Sequence, residues 1–263
     1  MKQSRAVVMQ RQYQIRRLFL EHKSLQVSDI SKLLGVSELT IRRDFIALEA
    51  EGFIERFHGG GRLVSHNLPN APLYEHKDML RQRQKQQIAH YIASLVSEND
   101  TVFLNAGTTT LEIIKAINSK KVIIVTNNAL ACTVVDGTAA SLISTGGEFS
   151  PQNKSFTGIM AVQLVQKMCA QVCILGVNGI SSSEGITTSN YMETMINDEF
   201  LKHCKGKKIV AADGSKIGKT FNFISAPLTA IDLVVTDSSA DPEALQAIQA
   251  NGIQIVLADQ VSV

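Results

Sequence analysis

SELTIRRDFIALEAEGFIERFHGGG, residues 37–61, decides the first half of the fold. Ile41, Phe45 and Leu48 recur at i, i+4 and i+7, the spacing of a helix face turned toward a core. At 100° per residue, Arg42 and Arg43 then point to the flank and the far side, with Thr40 beside them. Ser37 suits the cap and Glu38 the positive end, so a helix is expected from about Glu38 to Glu51, stopping at Gly52. Two guanidiniums and a hydroxyl on the N-terminal half of a helix are the groups that a recognition helix carries into a major groove. The residues alone do not say which arginine meets a base and which a phosphate. They also leave open a solvated charged face, paired with Asp44 and Glu49.

The flanks supply the context. Upstream, QRQYQIRRLFLEH (10–22) places Tyr13, Ile15, Leu18 and Phe19 on one helical stripe, with His22 at its end. VSDISKLLG (27–35) follows as a short helix capped by Ser28 and closed by Gly35. Helix, glycine turn and helix is the helix-turn-helix arrangement. Downstream, Phe53, Ile54 and Phe57 alternate imperfectly with Glu55, Arg56 and His58, as in a short strand. Gly59, Gly60 and Gly61 make the expected tight turn, and a second strand returns from Arg62. Such a hairpin after a recognition helix is a wing. Its glycines let the backbone approach a phosphate, with Arg56, His58 and Arg62 as donors. His58 is equally readable as a plain turn residue, and it has no partner for a metal. The expected DNA contacts are Ser28, Ser37, Thr40, Arg42, Arg43, Arg56, His58, Gly59 and Gly60.

This stretch resembles the N-terminal winged helix of the DeoR family of bacterial transcriptional regulators. The family pattern VSxxTIRRDLxxLExxGxxxRxHGGA is matched from Val36 through Gly60, with Phe45 for a leucine and Gly61 for an alanine as departures. The resemblance implies double-stranded operator DNA as the partner of Arg42 and Arg43.

Charge distribution agrees. Residues 1–62 hold eleven Lys/Arg against seven Asp/Glu, a net of +4, whereas residues 91–263 hold eleven against fifteen, a net of −4. A basic front on an acidic body suits contact with a polyanion. The 44% hydrophobic and 19% charged composition describes a globular chain. No apolar run approaches the length of a membrane span, and the N-terminus lacks the apolar core of a secretory signal. Cys132, Cys169, Cys173 and Cys204 form no Cys-x-x-Cys pair. They are expected to be small core residues in a reducing cytoplasm, with no structural metal or cofactor.

Residues 65–77, SHNLPNAPLYEHK, read as a linker between a domain over 1–64 and another over 78–263. The second opens with a helix whose stripe is Ile88, Tyr91, Ile92 and Leu95. Its early basic residues, Arg81, Arg83 and Lys85, are expected on a solvated face. Beyond residue 100, seven apolar runs alternate with helical ones: 101–104, 121–126, 141–145, 172–176, 208–212, 231–236 and 253–258. That alternation predicts an α/β domain with a mainly parallel sheet covered on both faces. Its loops gather at the carboxyl edge, where ligands bind. The Gly107–Thr110 turn at a helix start offers N–H groups to an anion, and Lys216 adds a cation at the same edge. A plain capped helix and a surface lysine remain open at this point.

The family resemblance continues to about residue 240. LNAGTTTLE, VTNNALA, STGGEF, GVNGISSSEGITTSNYMET and AADGSKIGK are similar to the phosphosugar-sensing domain of DeoR regulators, itself related in fold to ribose-5-phosphate isomerase. The resemblance implies a repressor of a sugar-catabolism operon, released by an intracellular sugar phosphate and acting as a dimer or tetramer. Effector contacts are expected at Asn105, Gly107, Thr108, Thr109, Thr110, Asn127, Gly146, Gly147, Asn178 and Lys216. Asn105, Asn178 and Asn190 stand where the family has aspartates, and Gly214 where it has a serine. Two alternatives accompany this reading. One is a sugar-phosphate isomerase fused to a DNA-binding domain, with Asp213, Glu193 and Lys216 as candidate groups. The other is a nonspecific DNA binder with a decayed sensor.

Overall fold

The computed structural model describes residues 5–50, 53–63 and 80–261. The chain divides into two compact units, Met1–Leu80 and Arg81–Val263. The expected linker over 65–77 lies outside the described residues, as do Glu51 and Gly52.

The first unit runs α1 (Arg5–His22), β1 (Ser24–Gln26), α2 (Val27–Leu34), α3 (Glu38–Ala50), β2 (Ile54–Phe57) and β3 (Gly60–Leu63). Ile41, Phe45 and Leu48 of α3 are buried, as their spacing requires, against Ile15 and Phe19 of α1 and Ile30 of α2. The Phe19 ring is the hub, 5.1 Å from Phe45 and 6.4 Å from Phe53 between centroids. On α1, Leu18 is half-buried and His22 turns outward, while the Tyr13 side chain lies outside the described residues. Gly35 closes α2 in the left-handed conformation, φ 64°, which suits glycine. Ser37 caps α3 by accepting from the Thr40 N–H at 3.3 Å. Ser28 does not cap α2. Helical geometry already begins at the buried Val27, so Gln26 takes the cap position, without a side-chain bond.

Two features depart from the expectation for the wing. The turn is His58–Gly59 alone, and Gly60 and Gly61 already lie in β3. The sheet also has a third strand, β1, so its order is β1-β3-β2 and β3 is central. A Cβ on Gly60 would sit 2.5 Å from the Leu25 carbonyl oxygen and 2.7 Å from the Phe57 ring. One on Gly61 would come within 3.1 Å of Ile54 and Phe19. Both glycines therefore serve close internal packing.

Asp44 is also placed otherwise than expected. It is buried and accepts from Arg11 Nε at 2.6 Å, Arg11 Nη2 at 3.2 Å and Gln12 Nε2 at 3.1 Å. This polar clamp joins α1 to α3 inside the unit.

The second unit begins with α4 (Gln82–Leu95), β4 (Thr101–Leu104), α5 (Thr108–Ile117), β5 (Ile123–Thr126) and β6 (Ser141–Ser144). A hairpin follows, β7 (Glu148–Ser150) with β8 (Ser155–Thr157), and then α6 (Ile159–Val165) and β9 (Ala170–Gly176). The rest is β10 (Gly179–Ser181), β11 (Gly185–Thr188), α7 (Tyr191–His203), β12 (Cys204–Ala211), β13 (Phe223–Ala226), β14 (Leu233–Thr236), α8 (Pro242–Gln249) and β15 (Gln254–Leu257). All seven expected strands join one sheet in the order β15-β14-β12-β9-β4-β5-β6, with every pairing parallel. Alternation along each strand feeds two cores. Val102 and Leu104 pack with Ile88 and Ile92 of α4 and Ile113 of α5, while Phe103 faces Phe200 of α7 with ring centroids 5.0 Å apart.

Lys85 is buried rather than solvated, whereas Arg81 and Arg83 are exposed as expected, Arg81 with its Nε 3.4 Å from Asp213 Oδ1. Cys173 and Cys204 are core residues, and burial pushes both thiols up from their ordinary range. Cys132 and Cys169 are exposed, contrary to expectation, and all four cysteines are free. Among the described residues no helix is long and apolar enough to cross a membrane.

Asp44→Ala removes the carboxylate from the α1–α3 clamp. The substitution is expected to cost the first unit about 3 kcal/mol or more. Denaturant unfolding followed by circular dichroism measures this, and a change below about 1 kcal/mol contradicts the role given to the clamp.

Candidate functional site

In the first unit, α3 and the wing bring most of the expected DNA contacts together. A crevice of about 270 Å³ lies between them, lined by Arg42, Arg56, Phe57, His58, Gly59 and Gly60 together with Val27 and Phe45. Gly59 adopts φ 85° at the exposed tip, a conformation that favours glycine. Gly60 lies beneath it, buried, so its role is to seat the wing rather than to meet a partner.

The cations are not equally committed. Arg42 is bound to Glu38 at 3.1 Å in an exposed pair, which holds it loosely. Arg43 makes no ion pair or hydrogen bond among the described residues and is exposed. Neither arginine pairs with Asp44 or Glu49. Glu49 reaches instead to the wing, accepting from Arg56 Nε at 2.6 Å and from the Arg56 backbone N–H at 3.1 Å. The Arg56 side chain thereby locks β2 to α3, and its guanidinium lowers the Glu49 pKa. Arg62 pairs with Glu55 on the neighbouring strand at 2.7 Å. Thr40 shares its hydroxyl with Ser37 at 2.9 Å, and Ser28 approaches Asp29 at 3.4 Å.

In the second unit, chain order explains where a crevice must open. From β4 the chain proceeds outward through β5 and β6, then returns to the other side of β4 with β9 and continues through β12, β14 and β15. The reversal falls between β4 and β9, and loops leaving a reversed pair diverge at the carboxyl edge. The β4 loop carries Gly107 and the start of α5 with Thr108, Thr109 and Thr110, and the β9 loop carries Asn178. Lys216, in a tight turn after β12, is one strand further on, and Asn127 follows β5 on the opposite side. β12, which leads to Lys216, and β4, which leads to the Thr108–Thr110 turn, are two places apart in the sheet order. Lys216 is half-buried, and its ammonium makes no hydrogen bond or ion pair among the described residues.

Several expected contacts are engaged within the fold instead. Asn105 donates to the Gly176 carbonyl at 2.8 Å and to Asn197 Oδ1 at 3.0 Å, and accepts from the Gly176 N–H at 2.8 Å. Its amide stitches β4 to β9 at the reversal, which a carboxylate could not do with the same three partners. The Thr110 hydroxyl donates back to the Asn105 and Gly107 carbonyls. Asn178 accepts from Thr188 at 3.0 Å, and Asn190 caps α7 by accepting from the Met192 N–H. Asn127 donates to the Phe156 carbonyl at 2.9 Å, and its buried Oδ1 meets no donor among the described residues. Gly146 and Gly147 follow β6, the edge strand four places from β12 in the sheet order. At Gly147 a Cβ would lie 2.4 Å from the Thr157 carbonyl, so that glycine is required by packing.

The acid groups of the enzyme alternative are likewise engaged. Glu193 lies 2.7 Å from the Thr188 hydroxyl, and Asp213 is held by Arg81 and by the Ser215 N–H at 3.1 Å. Gly214 could not be a serine in this packing, since a Cβ would sit 2.4 Å from the Ala240 nitrogen.

Comparison with known proteins assigns both units. Residues 11–67 match the family model described as the DeoR-like helix-turn-helix domain, and residues 80–238 match the DeoR C terminal sensor domain. The chain is 30% identical over 234 residues to the transcriptional repressor AccR of Agrobacterium fabrum, covering 87% of this chain and 89% of that one. It is 29% identical over 248 residues to the HTH-type transcriptional regulator GlpR of Haloferax volcanii, covering 94% and 96%. Among solved structures, ribose 5 phosphate isomerase A from Neisseria gonorrhoeae aligns at 17% identity with a TM-score of 0.38 over 53% of each chain.

The Glu49–Arg56 contact yields a pH prediction. A depressed carboxylate pKa contributes stability that is present above the ordinary glutamate range and is lost as pH falls through the lowered value. The wing is therefore expected to be locked to α3 at neutral pH and to loosen only in acid. Carboxyl-carbon NMR titration should find Glu49 below the ordinary range, moving back up to it in Arg56→Gln. No movement on that substitution contradicts the assignment.

Proposed function

The chain belongs to the DeoR family of transcriptional regulators, and from that premise we propose that it represses a sugar-catabolism operon in the cytoplasm and is released by a sugar phosphate. As a DNA-binding regulator it needs a surface for DNA, and the exposed face of α3 with the wing tip supplies one. In this reading Arg43 and Arg42 enter the major groove, Thr40 and Ser37 approach the backbone beside them, and His58 and Gly59 meet phosphates. Arg56 acts chiefly by setting the wing.

The observation that carries the effector reading is the half-buried Lys216, without a partner among the described residues, at the edge where β4 and β9 diverge. The N–H groups at the start of α5 follow β4, two places from β12 in the sheet order, and in this reading they take a phosphate whose sugar reaches toward Lys216. In this reading Gly107, Thr108 and Thr109 hold the anion, and the half-buried Asn178 meets sugar hydroxyls, while the buried Asn127 supports the pocket wall from β5. Asn105 and Thr110 shape the floor. Release from DNA requires that the ligand favour the weakly binding state, most simply by repositioning paired winged helices within a homodimer or tetramer.

A thermal-shift panel of sugar phosphates, with the free sugars as controls, tests this. One phosphorylated sugar at 100 times its dissociation constant should stabilise the protein by about 2.7 kcal/mol, and its free form should not. Lys216→Gln should abolish that shift while leaving operator affinity intact. A flat panel, or equal stabilisation by the free sugar, contradicts the effector reading.

A further inference from the structure

The face of α3 turned directly away from the core is not wholly basic. The buried side chains Ile41, Asp44, Phe45 and Leu48 define its inner side. Opposite them, at i, i+4 and i+7, lie Leu39, Arg43 and Ile46, with Leu39 60% and Ile46 50% exposed. Arg42 stands on the flank beside the wing, where it lines the crevice. The outermost line of the helix is therefore an arginine between two apolar side chains.

Leu39 is the second residue of α3, within the first turn. Its neighbours Ser37 and Thr40 are engaged with each other, and Arg42 is bound to Glu38. Leu39 and Arg43 are thus the outward side chains of this half-helix that no local contact occupies. Phosphates give a leucine nothing, and an apolar protein surface would have to bury Arg42, Arg43, Arg56 and His58 beside it. A polyanion satisfies those cations. On the floor of its major groove the apolar feature available is the C5-methyl group of thymine. Ile46 lies about 10 Å further along the helix axis, where a recognition helix has begun to leave the groove.

We propose that Leu39 is a specificity-determining residue that packs on a thymine methyl in the operator, next to the base or phosphate met by Arg43. The inference rests on the reading of α3 as the recognition helix and adds to it the identity of one base.

The test begins by selecting binding sequences for the full-length protein from a random duplex pool. Each thymine of the selected site is then replaced by deoxyuridine, which removes the methyl alone. At one position, wild-type affinity should fall about fourfold, the effect of burying one methyl. Leu39→Ala should bind the thymine site more weakly and no longer distinguish the two bases there. Ile46→Ala should still distinguish them. Uniform indifference of wild type to deoxyuridine overturns the proposal, as does discrimination that survives in Leu39→Ala. Failure to select any preferred sequence overturns the recognition-helix reading itself, and the inference with it.

Discussion

The reversal of strand order between β4 and β9 is the constraint on which the larger unit depends. Parallel strands must be joined by crossovers, and a sheet built outward from its middle in both directions leaves two loops parting at one edge. The order of connection, rather than any side chain, sets where those loops part. Side chains fix the strands beneath them. Asn105 holds both the N–H and the carbonyl of Gly176, so the two strands stay joined up to the point of divergence. Above that stitch lie the start of α5 and Lys216. A cation in a tight turn and backbone donors at a helix start thus directly follow strands of one sheet, which limits the ordering that binding requires.

The smaller unit solves a different problem. A helix of thirteen residues has to bury one face and offer the other to a polyanion. The buried face carries Asp44 as well as three apolar residues, and its clamp on Arg11 fixes the rotation of α3 about its own axis more sharply than methyl groups alone. That rotation sets which side chains face outward. Glu49 then ties the wing to the flank of the same helix, so the position of the wing follows that of α3. Outward chemistry is in this sense a consequence of an inward ion pair.

Much of this was legible in the sequence. Short continuous apolar runs in residues 101–258 identified all seven strands of the parallel sheet, because strands buried on both faces are marked by continuous β-branched residues. The spacing of Ile41, Phe45 and Leu48 gave the orientation of Arg42 and Arg43. What stayed hidden depended on contacts distant in sequence. β1 has three residues and exists only because β3 pairs with it, so no local pattern marks it. Gly60 and Gly61 looked like turn residues, but their lack of a side chain serves the Leu25 carbonyl and the Phe19 ring. Lys85 sits among glutamines and an arginine on α4 and is nonetheless buried. Asn105 looked like a ligand contact because it follows a strand at the binding edge. Its partners, Gly176 and Asn197, are more than seventy residues away.

Both units matter only if what binds one changes the work of the other, and that coupling is the central claim. The direct measurement is the affinity for a fluorescently labelled operator duplex, by anisotropy at fixed salt, with and without a saturating sugar phosphate that stabilises the protein. The ligand should weaken binding at least about tenfold, a coupling of about 1.4 kcal/mol. Unchanged operator affinity at full ligand occupancy would contradict it.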